Sequence, residues 1–110
     1  MVDHFATTKP ELEYWLSGKS PIADYLCQNT VKTAEAYANG HPWSRIIWDV
    51  TAVAWLLNDN ERFMKSVLKS SPIPQYDKQY SFNDNRHLIN YVYHVKRDEL
   101  FEDLFMKLTK

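Results

Sequence analysis

The sequence predicts one mainly helical α+β domain, with about five helices and a β-hairpin or strand pair near the C-terminus. Three observations predict it. Apolar residues recur at helical spacing in five separate stretches. The only two glycines, Gly18 and Gly40, fall where the first two stretches end, and the five prolines fall at helix starts or in the breaks. One late segment, Leu88 to Val95, is rich instead in β-branched and aromatic residues. With 110 residues there is material for one core and no second.

The elements follow in order. Met1 to Lys9 lacks helical periodicity, and Val2 and Phe5 are either a strand remnant or the entry to a helix. Thr8-Lys9-Pro10-Glu11 has the pattern of a capping box, followed by Leu12, Trp15 and Leu16 at i, i+3, i+4. Ser20-Pro21 opens a second helix carrying Ile22, Tyr25, Leu26, Ala34, Tyr37 and Ala38, which Gly40-His41-Pro42 stops. Ser44 is expected to cap a third helix through Leu57, with Ile46, Ile47, Val50, Val53, Ala54 and Leu57 inward. Trp48, Ala52 and Trp55 form a second apolar stripe on it, so it should be buried on most sides. A fourth helix should place Phe63, Met64, Val67 and Leu68 inward before Ser70 to Pro74 ends it. Gln79 to Phe82 and Leu88 to Val95 fit a hairpin around Asn83-Asp84-Asn85, with Ile89, Tyr91, Tyr93 and Val95 on one face. The last helix carries Leu100, Phe101, Leu104, Phe105 and Leu108, with Asp98 and Glu99 at its positive end and Lys107 and Lys110 at its negative end.

Composition removes several function classes. A net charge of −1 gives no field to recruit nucleic acid or an anionic membrane. Cys27 is the single cysteine, which excludes an intrachain disulfide and any site needing several thiolates. Two glycines cannot build a dinucleotide fingerprint or a Walker A loop. No apolar run approaches the ~20 residues of a membrane helix, and Met1 opens no signal-peptide pattern, so a cytoplasmic location is expected.

His4, His41, His87 and His94 are scattered, with no i, i+4 pair, and read as surface or hydrogen-bonded histidines. Cys27 reads as a small buried hydrophobe, and Asp98, Glu99, Glu102 and Asp103 as a solvated helix face. Asp49 resists so plain a reading, because it lies inside the most apolar stretch of the chain. Either the helix N-terminus or Arg45 one turn back accounts for it, or it is an oxygen ligand on a rigid helix with Trp48 beside it as a stacking platform. Calcium takes ~6–8 oxygens, so in the second case most of the site lies outside this chain.

The stretch from His41 to Leu56, and above all Trp48-Asp49-Val50-Thr51-Ala52-Val53-Ala54, resembles the late Trp-Asp helix of the inosine/uridine-preferring nucleoside hydrolase family. Leu88 to Val95 with Arg97 to Phe105 resembles that family's closing strand and final helix, and the likeness runs from about Glu11 to Lys107. The resemblance implies a single partial domain over 1–110, the C-terminal part of the family's α/β fold. It implies that Asp49 serves the active-site calcium or the ribose-bound cluster around it, that Trp48 faces the base as in purine-preferring members, and that Tyr37 is a second aromatic near the base. In the complete enzyme, calcium positions a water, another aspartate takes its proton, and the N-ribosidic bond of a purine nucleoside breaks.

The family's N-terminal aspartate cluster, which supplies the general base and most calcium ligands, has no counterpart here: Asp3 precedes a histidine, and no Asp-Asp pair follows. No catalytic residue is therefore assigned in this chain, and it is expected to be inactive alone. It is then a truncated form, a shortened gene product or a subunit that completes a partner's site, with homo-oligomers expected. The alternative is a non-catalytic protein-interaction domain derived from the same scaffold.

Overall fold

Helices α1 (Lys9–Leu16) and α2 (Pro21–Ala38) start where proline occupies a first turn. In the computed structural model, which describes residues 2–110, Ser20 caps α2 by accepting a hydrogen bond from Ala23 N at 3.1 Å. Asn39 and Gly40 end it with φ of 50° and 81°, the left-handed region that stops a helix. Thr8 holds the N-cap of α1 but makes no side-chain cap bond, so the predicted capping box does not form. Its glutamate is engaged elsewhere: the Glu11 carboxylate accepts from Thr7 Oγ1 and from Arg97.

Only some of the apolar residues that α2 carries are packed. Ala23, Cys27 and Ala34 are buried, whereas Ile22, Tyr25 and Tyr37 face solvent. Small side chains line the buried stripe of this helix, and α1 is its neighbour. Of the larger residues of α2, Val31 packs against the core while Ile22, Tyr25 and Tyr37 stay outside.

The predicted third helix is half its expected length. Arg45–Ile46 form strand β2, antiparallel to β1 (Ala6–Thr7), and Ile47 N donates to Phe5 O at 2.9 Å. With that backbone committed to strand pairing, α3 spans only Val50–Leu56 and buries only Ala54. Leu56 is 80% exposed, and Val53, Trp55 and Leu57 also reach solvent, so the expectation of burial on most sides is overturned.

The predicted fourth helix is a strand. After one 3-10 turn at Asp59–Glu61, β3 (Met64–Ser70) runs antiparallel to β6 (Leu88–Val95), in register from Met64 opposite Val95 to Ser70 opposite Leu88. The segment Gln79 to Phe82 therefore does not pair with Leu88–Val95. It supplies β5 (Tyr80–Ser81), which pairs with β4 (Ile73–Pro74). A bulge sets Lys65 opposite His94 but Ser66 opposite Val92, leaving Tyr93 as the extra residue. Alternation breaks there, so Val95 joins Val92 and Asn90 in lining a common cavity rather than sharing a face with Ile89, Tyr91 and Tyr93.

Helix α4 (Arg97–Leu108) closes the fold, with Leu100, Phe101 and Phe105 buried and acidic residues in its first turn as predicted. The fold is thus mixed, with four α-helices and three small antiparallel strand pairs among the described residues. Its core joins Phe5 to Phe101 (centroids 6.0 Å apart), Phe101 to Phe105 (5.4 Å) and Phe105 to Trp15 (6.3 Å). The radius of gyration is 17.4 Å with extents of 53 × 36 × 17 Å, against about 13 Å for a compact chain of this length. Among the described residues, no helix is long and apolar enough to cross a membrane.

Candidate functional site

The turn that leads into α3 is fixed by its own backbone. Val50 N donates to Ile47 O (3.3 Å) and Thr51 N to Trp48 O (3.0 Å), while Thr51 Oγ1 donates to the same Trp48 oxygen at 2.8 Å. These bonds hold Trp48 and Asp49 at the mouth of the helix. Asp49 is the N-cap residue, already in helical conformation at φ −64° and ψ −20°, and that geometry leaves its side chain without a cap hydrogen bond. No ion pair joins it to Arg45, which β2 holds in extended backbone. The Asp49 carboxylate is exposed, and Trp48 beside it is 55% exposed.

Tyr37, on the last turn of α2, is 79% exposed. Its ring makes no contact with that of Trp48, and neither residue lines the cavity between α3 and the β3–β6 ribbon. Adjacency in sequence therefore brings Trp48 and Asp49 together, while Tyr37 stands on a separate element.

An apolar cavity lies further along α3. A space of about 500 Å³ opens between that helix and the β3–β6 ribbon, lined by Thr51, Ala52, Trp55, Met64, Asn90 and Val92 with Val95. The lining is mostly apolar, with the Asn90 amide as its main polar group. Nothing in the sequence pattern marks it, because Met64 reaches it from an unpredicted strand and the bulge at Tyr93 brings Val95 onto the face of Asn90 and Val92. A smaller crevice of about 130 Å³ separates α3 from α4 at Val53, Ala54, Leu57, Leu100 and Leu104. Helix α3 is loosely seated on both sides.

The other titratable candidates resolve simply. Cys27 is a free, buried thiol whose pKa burial raises, so it is a poor nucleophile. His4, His41, His87 and His94 are all exposed. Asp103 is less solvated than expected: it accepts from Lys107 Nζ at 2.7 Å and Arg62 Nη2 at 2.9 Å, and the Lys107 bond leads in holding its carboxyl below the usual range. Among the described residues, no three His, Cys, Asp or Glu side chains gather closely enough to hold a metal ion. Asp49 offers two uncommitted oxygens, which suits one ligand position of a calcium site and no more.

Comparison with protein-family models, with curated proteins and with solved structures finds no match to this chain.

Proposed function

We propose that this chain is the C-terminal portion, or a separate subunit, of a nucleoside hydrolase-like protein that cleaves the N-ribosidic bond of purine nucleosides in the cytoplasm. One observation carries the reading: Trp48 and Asp49 stand side by side and exposed at the start of α3, with the carboxylate free of cap and ion-pair partners. Trp48 immediately precedes the N-cap Asp49, so the two side chains leave successive backbone positions of the turn into α3. One turn can therefore send Asp49 toward a metal and ribose while Trp48 covers a base. Tyr37 is the second aromatic in this reading. Calcium, when bound, supplies a Lewis acid that activates water. Asp49 would hold it as one of several ligands, the others coming from an N-terminal segment or a partner chain. The exposed flank of α3 at Val53, Trp55 and Leu56 supports such a partner, and equally supports the alternative of a non-catalytic interaction domain.

The test is to recover the native assembly that contains this polypeptide and assay free ribose from inosine, guanosine and uridine, with and without a calcium chelator. Calcium-dependent ribose release, strongest with the purines, is the expected result. An assembly that releases no ribose from any of the three contradicts the hydrolase reading and leaves the interaction domain.

A further inference from the structure

The chain exposes more surface than its mass requires, and one strand edge is built to use it. A folded monomer of this mass exposes about 6,300 Å², whereas this chain exposes 8182 Å². The surplus is more than twice the ~800 Å² per partner of a standard protein interface. The β3–β6 ribbon is two-stranded and so has two open edges. The edges differ in character. Strand β3, Met-Lys-Ser-Val-Leu-Lys-Ser, carries Lys65 and Lys69, the usual protection of an edge against pairing. Strand β6, Leu-Ile-Asn-Tyr-Val-Tyr-His-Val, has no Lys, Arg, Asp, Glu, Gly or Pro. It has the composition that pairs with another strand, and Leu88, Tyr91 and Tyr93 on it are exposed.

The geometry points to a second copy of this chain as the occupant: the outer edges of two β6 strands pair antiparallel across a two-fold axis, giving the order β3–β6–β6–β3. An antiparallel strand pairs with itself without any second surface, so the contact closes at two copies. The uncharged strand brings no like charges together, which is the cost that would oppose self-pairing on the β3 side. The bulge at Tyr93 limits straight pairing to Leu88 through Val92. The axis then passes at Asn90, which faces Asn90 of the second copy, with Ile89 opposite Tyr91 and Leu88 opposite Val92. This assembly is independent of the nucleoside reading.

Sedimentation equilibrium of the full chain at high micromolar concentration should give twice 13.0 kDa. Asn90→Lys, at an exposed position, should give a monomer because two ammonium groups meet at the axis, while Leu56→Lys on α3 should remain a dimer. A monomeric wild-type chain, or a dimer that survives Asn90→Lys, overturns the proposal. Two readouts stand if Asn90→Lys fails to fold. Asn90→Cys should form an intermolecular disulfide under mild oxidation, and Ser66→Cys on β3 should not. In the unaltered chain, amide exchange should be slow at successive residues from Leu88 to Val92. Exchange slow at only every second residue, as in a lone ribbon, overturns it.

Discussion

The Arg97 guanidinium grips the Glu11 carboxylate across 86 residues of chain. Nη1 donates to Oε2 at 2.9 Å, Nη2 donates to Oε1, and Nη2 also reaches Ala6 O at 2.7 Å. The same group lies 4.2 Å over the Phe101 ring. One side chain thus ties the first helix, the first strand and the last helix together. Glu11 leads the causes that raise the Arg97 pKa, so the cation persists at any working pH.

Arg97→Ala should cost about 2–4 kcal/mol, since it removes a bidentate charged pair and strands a part-buried carboxylate and carbonyl. Glu11→Gln should cost less, because its amide still accepts one hydrogen bond. A double-mutant cycle by urea unfolding should show coupling well above that of the exposed Lys9–Glu35 pair (2.8 Å), for which ~0–1 kcal/mol is usual. Equal coupling in the two pairs contradicts the assignment.

Asn58 clips the start of the ribbon. Its Oδ1 accepts from Phe63 N (2.9 Å) and Met64 N (2.8 Å), and its Nδ2 donates to Met64 O at 2.9 Å. Asn58→Ala leaves these part-buried backbone groups unpaired and should destabilise by about 1–3 kcal/mol. Asn58→Asp should be intermediate near neutral pH, keeping both acceptor bonds but setting a carboxylate oxygen against the Met64 carbonyl. An Asp variant no better than Ala shows that the two acceptor bonds carry nothing.

Asp103 gives the chain an acid-sensitive contribution. Its carboxyl is lowered first by Lys107 and then, against opposing desolvation, by Arg62. A lowered folded-state value means that the unfolded chain binds the proton more readily. The stabilisation is therefore fully present above the ordinary carboxylate pKa of about 3.9 and disappears as pH falls through the lower folded value. Urea midpoints from neutral pH down to acid should show wild type ahead of Asp103→Asn above that range and level with it below. A gap that stays constant with pH contradicts the linkage.

Legibility in the sequence follows the range of the interactions. Helices α1, α2 and α4 are read correctly because proline, Ser20, glycine and the 3.6-residue period act locally. The stretch Phe63, Met64, Val67, Leu68 has helical spacing and is nevertheless a strand, because β6 lies opposite it more than twenty residues later. The same competition shortens α3, where Phe5, Ala6 and Thr7 draw Ile47, Ile46 and Arg45 into strand pairing. At the candidate site the adjacency of Trp48 and Asp49 is legible outright. The Asn90 cavity is not, because it needs β3, which has helical spacing, and a bulge that turns Val95 inward.

The 110-residue chain alone should release no ribose from inosine, guanosine or uridine in the presence of calcium, because one carboxylate leaves the ion almost wholly water-bound. Ribose release that scales with protein and disappears in Asp49→Ala would show that a complete site resides here.

The most direct test lies in two substitutions made within the complete assembly, read by calcium titration beside steady-state kinetics on inosine and uridine. Asp49→Asn keeps the shape of the turn and removes its charge, so calcium affinity and turnover should fall together. Trp48→Ala should leave calcium affinity nearly unchanged and weaken inosine by roughly 1–3 kcal/mol through lost stacking, with a smaller effect on uridine because a pyrimidine overlaps less of the indole. If Trp48→Ala lowers calcium affinity as much as Asp49→Asn, or affects both nucleosides equally, Trp48 is packing for α3 and the account fails at its centre.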